Sequence, residues 1–194
     1  MFTTSAKNNM LDALQLTLSS LHTAFPGQTG LNEVTGGSPA YARKTITVAA
    51  ASGEQRLTSA SVTFDVPATT VRWVGFWNTA GTQFQGYSPN GGSPKEFIAD
   101  PSADLIRCPA HGYADTQKIV FYNGTVPGGF TEGTVYFVRD STTDTFKVAA
   151  SAGGVAIDIT STGSSSCLLS AIVEDVYAAQ GTHQLSSATF TLGF

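Results

Sequence analysis

The stretch Val71-Arg72-Trp73-Val74-Gly75-Phe76-Trp77-Asn78 holds both tryptophans of the chain and is apolar at nearly every position. Successive side chains of a strand point to opposite faces, so Val71, Trp73 and Trp77 are expected on one face and Val74 and Phe76 on the other. With both faces apolar, the stretch suits a central strand covered on two sides. β-Branched and aromatic content, with Pro67 before and Gly81 after, favours a strand over a buried helical turn. An aromatic side chain buries about 150–250 Å², so at ~25 cal/mol per Å² the two indoles contribute roughly 8–12 kcal/mol before entropy is subtracted. No basic or amide-rich cluster lies beside them in the sequence, so a core is expected here rather than a stacking platform for a sugar or base.

Other elements can be placed around this strand. Residues 5–14 form the one clear helical candidate, with Ser5 as cap and Met10, Leu11 and Leu14 at helical spacing. A helix that short is marginal alone and must dock on something. Alternation from Leu14 to Leu21 predicts a half-buried strand. From Phe25 to Ala42 the turn formers Pro26-Gly27-Gln28-Thr29-Gly30 and Gly36-Gly37-Ser38-Pro39 predict a long loop, of the kind that is often functional or interfacial. Ile46, Val48 and Ala50, then Val62, Phe64 and Val66, alternate with polar residues as one-sided antiparallel strands do.

Gly86 to Pro94 is the strongest linker signal. Beyond it, strands are expected at 105–107, 118–121, 135–138, 145–148 and 156–159, with turns about every ten residues. The Ser/Thr/Gly run 160–166 closes this part, after which Ala188, Phe190, Leu192 and Phe194 alternate in a last, buried strand. The fold class expected is all-β: a jelly-roll-like antiparallel β-sandwich with a short N-terminal helix and a small inserted β module. The sandwich takes residues 1–95 and 168–194, and the module takes 96–167.

Composition excludes several function classes. Only 12% of residues are charged, about half the usual share, so much of the surface is Ser, Thr, Gly and Ala, which desolvate cheaply in packed assemblies. A net charge of −4, with Lys and Arg scattered singly, argues against nucleic-acid binding. No apolar run suits a membrane span and the N-terminus lacks the pattern of a secretion signal, so synthesis in a cytoplasm is expected. Without that signal, the Asn123-Gly124-Thr125 sequon is read as accidental. Two cysteines, Cys108 and Cys167, are too few for a disulfide framework, and the residues leave their pairing open.

Nothing in the text specifies catalysis. Glu132, Asp140, Asp144 and the pair Glu174-Asp175 fall in turns or at strand ends, where solvated acids are ordinary. His22, His111 and His183 lie in separate segments without metal-ligand spacing. No phosphate cradle or Gly-X-Ser-X-Gly nucleophile motif occurs. Neither catalytic residues, a metal nor a cofactor is expected.

Leu21-His22-Thr23, Pro26-Gly27, Glu33-Val34-Thr35-Gly36-Gly37-Ser38 and Tyr41-Ala42-Arg43 resemble a family of small virion proteins of tailed bacteriophages and prophages. The likeness continues through Phe64-Asp65-Val66-Pro67-Ala68 and Trp73-Val74-Gly75-Phe76-Trp77 and resumes near Ala178-Ala179-Gln180-Gly181-Thr182. The inserted part, through His111-Gly112-Tyr113, Pro127-Gly128-Gly129-Phe130 and Gly133-Thr134-Val135-Tyr136-Phe137-Val138, is similar to a module of phage tail-fibre and other particle proteins. Simpler family members lack such an insert. The resemblance implies a non-enzymatic virion protein on the capsid or tail, with other virion proteins and copies of itself, such as a trimer, as partners. Attachment would use the first fourteen residues and the long loop, with Phe2, Met10, Leu11, Phe25 and Tyr41 as interface candidates. The alternative is a receptor- or glycan-binding module presenting Tyr113, Tyr122, Phe130 and Tyr136 outward.

Overall fold

The short helix forms where the chain offers it both a cap and a dock. In a computed structural model that describes residues 2–191, α1 spans Thr4–Ala13, and Thr3 rather than Ser5 is its cap, accepting the Ala6 N–H at 3.2 Å. Side chains from a neighbouring segment complete it. Glu54 meets Lys7 at 2.7 Å and Thr4 Oγ1 at 2.8 Å, and Arg56 donates to the carbonyls of Leu11 and Leu14 at 3.1 and 3.0 Å. Those carbonyls lie at the C-terminal end of the helix, where the Leu14 and Leu16 N–H groups also reach them at 3.2 and 3.1 Å.

The chain is all-β and antiparallel apart from this helix, and its sheets pack in the manner of a sandwich. The described residues form two compact units, 2–92 with 173–191, and 93–172. In the first unit the strands are β1 (Leu18–His22), β2 (Lys44–Thr45), β3 (Gln55–Leu57), β4 (Val62–Val66), β5 (Thr69–Val71), β6 (Trp73–Trp77) and β7 (Phe84–Pro89). In the second they are β8 (Ile98–Asp100), β9 (Leu105–Arg107), β10 (Lys118–Tyr122), β11 (Val135–Arg139), β12 (Thr145–Ala149) and β13 (Leu168–Ala171). The first unit resumes with β14 (Asp175–Tyr177), β15 (Gly181–Leu185) and β16 (Thr189–Thr191).

One layer of the first unit is a four-stranded sheet, β2-β1-β6-β7. All five residues of β6 are buried between β1 and β7. The second layer is the returning chain: Gln55 faces Thr191, Val66 faces Gly181 and Val71 faces Asp175, so 55–71 and 175–191 run as one interrupted antiparallel ribbon. Leu11, Leu21, Phe64, Val74, Phe76 and Phe190 belong to the apolar core of this unit. Val71 joins that core and not the tryptophan face, because Arg72 separates β5 from β6 and resets the alternation.

The second unit is a six-stranded sheet, β13-β10-β11-β12-β9-β8, in which every pairing is antiparallel. It curls until the segment before β8 reaches β13, where Lys95 and Leu169 exchange backbone bonds of 2.7 and 3.0 Å. The enclosed core includes Ile106, Phe121, Tyr136, Val138, Phe146 and Leu169.

Several expected elements move. β13 pairs with β10, so residues 168–172 belong to the module and not to the sandwich. Residues 45–50 form a ladder only at Lys44–Thr45, plus a lone bridge from Val48 to Thr58. The segment 156–159 contributes a single bridge at Ala156, and β8 occupies a stretch with no strand expectation. Near the C-terminus, Ala188 and Phe190 are buried as expected, with strand confined to Thr189–Thr191. The expected Leu192 and Phe194 lie outside the described residues.

Candidate functional site

The face of β6 that carries Trp73 and Trp77 is sealed, both indoles being buried. Phe25 packs edge-on against Trp73 at 5.2 Å and Tyr87 at 5.1 Å, and Phe84 packs edge-on against Trp77 at 4.9 Å. Beneath them runs a polar relay. The Trp77 Nε1–H can only donate, so Ser20 Oγ accepts it at 2.7 Å and turns its own proton to His22 Nε2, also at 2.7 Å. His22 Nδ1–H then donates to the Leu31 carbonyl at 2.7 Å, which pins the 23–43 loop over the sheet. Burial pushes the His22 pKa down, favouring the neutral ring that this relay requires.

Ser20 and His22 stand at the separation of a nucleophile and its base. Both are 0% exposed, however, and the hydroxyl already accepts the indole N–H. An electrophile has no approach, so the pair acts as a strut.

Gly75 makes the relay possible. A Cβ there would lie 2.4 Å from both His22 Nε2 and Ser20 Oγ. Around the outer edge of Trp77, Arg43 lies over the indole ring at 3.4 Å while Glu33 accepts its Nε–H and Nη2–H, the latter at 2.7 Å. Arg43 also donates to the Gly81 carbonyl at 2.7 Å, bracing the β6–β7 turn. That turn is shaped by Asn78, whose Oδ1 accepts the N–H groups of Thr82 and Gln83 at 3.0 and 3.2 Å.

Beside this brace lies an open depression of about 510 Å³. Gln28 and Thr29 line one side, Gln83 and Gln85 the other, with Trp77 and Phe84 between them. The sequence offered no amide-rich cluster beside the tryptophans, but folding assembles one from residues about fifty positions apart. Gln85 is the extra residue of a β-bulge, since Phe76 faces Gly86 while Trp77 faces Phe84. The only sequence signal for it was the turn formers at 78–83, which place Gln83 and Gln85 just past a hairpin.

The interface candidates divide. Phe2 and Met10 are exposed, at 55% and 39%, whereas Leu11 is wholly buried in the sandwich core. Phe25 is half-buried and packs on Trp73. Tyr41 is also half-buried: its hydroxyl accepts the Leu21 N–H at 2.7 Å and its ring stacks on Phe64. The outward face that the alternative reading gave to Tyr113, Tyr122, Phe130 and Tyr136 is corrected, because all four are buried. Phe130 stacks on Phe121 at 4.6 Å and meets Tyr136 edge-on at 5.2 Å, in the module's own core.

The acids are engaged in holding backbone or pairing with arginine. Glu132 accepts the Asn123 N–H and Asp144 the Ala110 N–H, both at 2.9 Å, while Asp140 pairs with Arg139 and Glu174 with Arg72. Asp175 accepts from Asn90 at 2.8 Å. His111 Nδ1 accepts the Tyr113 N–H, and buried His183 meets the Tyr177 hydroxyl at 3.2 Å. Among the described residues no group of three or more His, Cys, Asp and Glu could hold a metal ion, and no helix is long and apolar enough to cross a membrane. Cys108 and Cys167 are free and buried; burial raises both thiol pKa values, that of Cys167 to about 12. No family model, no curated protein and no solved structure matches the chain.

Proposed function

We propose that this chain is a non-enzymatic structural protein of a tailed bacteriophage particle. It packs on the capsid or tail as a decoration or minor subunit, beside other virion proteins and copies of itself. The observation that carries this reading is the use made of charge. Lys7–Glu54, Arg56–Asp12 and Arg72–Glu174 each join segments distant in sequence, and Glu33 anchors the arginine that braces Trp77. An enzyme keeps some acid or base directed at a reacting atom. Here most of the acids hold the scaffold together, and the Ser20–His22 pair is sealed.

Attachment falls to the exposed apolar residues Phe2 and Met10 and to the polar, low-charge surface, with many equivalent contacts adding up on a symmetric particle. Leu11, Phe25 and Tyr41 act one step behind, by shaping the surface from within. The test is to purify particles of the phage or prophage that encodes the chain and quantify it by mass spectrometry. Multiple copies per particle, lost together with particle integrity or occupancy when the gene is deleted, are expected. Particles that never contain it would overturn the proposal.

A further inference from the structure

We infer that the depression beside Trp77 is a binding site for a neutral saccharide. The inference stands on the geometry of the first unit and holds whether or not the chain rides on a phage particle.

Size and chemistry both point this way. About 510 Å³ falls within the range of small-ligand pockets, roughly 300–1,000 Å³. The lining carries amides, hydroxyls and aromatic carbon, and none of its side chains is charged. The nearest cation, Arg43, is neutralised by Glu33 at 2.7 Å and lies flat on the indole, so it offers little to a phosphate or carboxylate. Each glutamine amide presents two N–H donors and an acceptor oxygen side by side, the complement of vicinal sugar hydroxyls, which donate and accept in the same way.

The amides are also available. Gln28 and Gln85 make no side-chain hydrogen bond among the described residues, and Gln83 Oε1 has only a long contact of 3.4 Å from Asn78. A bulge that re-aims one side chain is a recurrent device beside binding sites, and here the re-aimed residue is Gln85. A nucleobase fits less well. It would need an open aromatic face, and that of Trp77 is occupied by Arg43 on one side and approached by the Phe84 edge at 4.9 Å. The aromatic surface left to the depression is mainly the half-buried Phe84 ring, which suits the C–H face of a pyranose.

The walls are set before any ligand arrives. His22 pins Leu31, Asn32 donates to the Phe25 carbonyl at 2.8 Å, and Arg43 ties the opposite turn through Gly81. Such preorganisation lowers the ordering cost of binding, which matters for a ligand that contributes only a few hydrogen bonds.

The experiment titrates the full ¹⁵N-labelled chain with methyl glycosides of glucose, galactose, rhamnose and N-acetylglucosamine at millimolar concentrations. Inorganic phosphate and a sialoside serve as charged comparators. At least one neutral glycoside should shift the side-chain amide resonances of Gln28, Gln83 and Gln85 saturably. Gln28→Ala/Gln85→Ala should weaken that binding by about tenfold or more while leaving the unfolding midpoint unchanged, since both residues are unpartnered. The inference is overturned if no neutral glycoside gives saturable shifts, if the double variant binds as well as the parent, or if only the charged comparators bind. Particle incorporation is a separate measurement, so either reading can fail without the other.

Discussion

Gly75→Ala puts a large load on a change of one methyl group. Glycine to alanine at a strand position that tolerates a methyl stabilises by about 0.4–1 kcal/mol through the unfolded chain. At Gly75 the new Cβ would lie 2.4 Å from His22 Nε2 and from Ser20 Oγ, and 2.8 Å from a Phe84 ring carbon. Overpacking of a dense core costs about 1–3 kcal/mol. Displacing Ser20 Oγ also disturbs two hydrogen bonds of 2.7 Å, from Trp77 and to His22, and each buried polar group left unsatisfied adds about 1–3 kcal/mol. The sum, less the entropic gain, is a loss of about 3–5 kcal/mol. With a urea dependence of about 2 kcal/mol per molar, that lowers the unfolding midpoint by roughly 1.5–2.5 M. Ser20→Ala removes one of the two clashing polar atoms, so Ser20→Ala/Gly75→Ala should cost less than the two single changes added together. A Gly75→Ala midpoint within 0.5 M of the parent, or additive single changes, would refute the argument that this glycine exists to make room for the relay.

Three further outcomes are expected. Leu11→Ala should lose about 2–5 kcal/mol as a buried leucine, whereas neighbouring Met10→Ala, at a 39% exposed position, should stay within about 0.5 kcal/mol of the parent; equal effects in urea titrations would show that the helix is not docked. Burial lowers the pKa of His22 and His183 from 6.5, with Glu33 and Asp175 opposing and Arg43 adding at His22. The unfolded chain therefore takes up protons first, and stability is full above pH 6.5 and falls below it, by at most about 1.4 kcal/mol per pH unit per histidine; a urea midpoint that is flat or rises between pH 7.5 and 5.5 would contradict this sign. Cys108 and Cys167, buried with raised pKa values, should resist a disulfide reagent in the native chain and react fully in denaturant; rapid native labelling would place them at the surface.

The first fourteen residues, expected to be an attachment arm, are docked on the chain's own sandwich. A terminal helix too short to stand alone needs a dock. The dock is the chain itself: Leu11 enters the core, Glu54 and Arg56 complete the helix, and Asp12 Oδ1 accepts the Ala51 N–H at 2.8 Å. Removing residues 1–14 would therefore open the sandwich as well as delete the exposed Phe2 and Met10. Point changes at Phe2 and Met10 separate attachment from stability.

Alternation along one segment was enough to read the all-β class, the two-sided burial of Trp73–Trp77 and the inward sides of Val62–Val66 and Ala188–Phe190, because side-chain direction in a strand follows from local backbone geometry. Alternation and neighbouring turns were also enough to favour core positions for Tyr113, Phe130 and Tyr136, where the structure has them. Partnership was not legible. Leu168–Ala171 has the same apolar texture as the strands on either side, and only hydrogen bonding to Lys118–Tyr122 assigns it to the module. The ribbon of 55–71 with 175–191, the close approach of Gly75 to His22, and the lining of one depression by Gln28 and Gln85 all join residues that no window of sequence contains. Periodicity reports the direction in which a side chain leaves its own backbone, while the atoms it meets are chosen by the register of distant segments, which depends on the free energy of the whole packed chain.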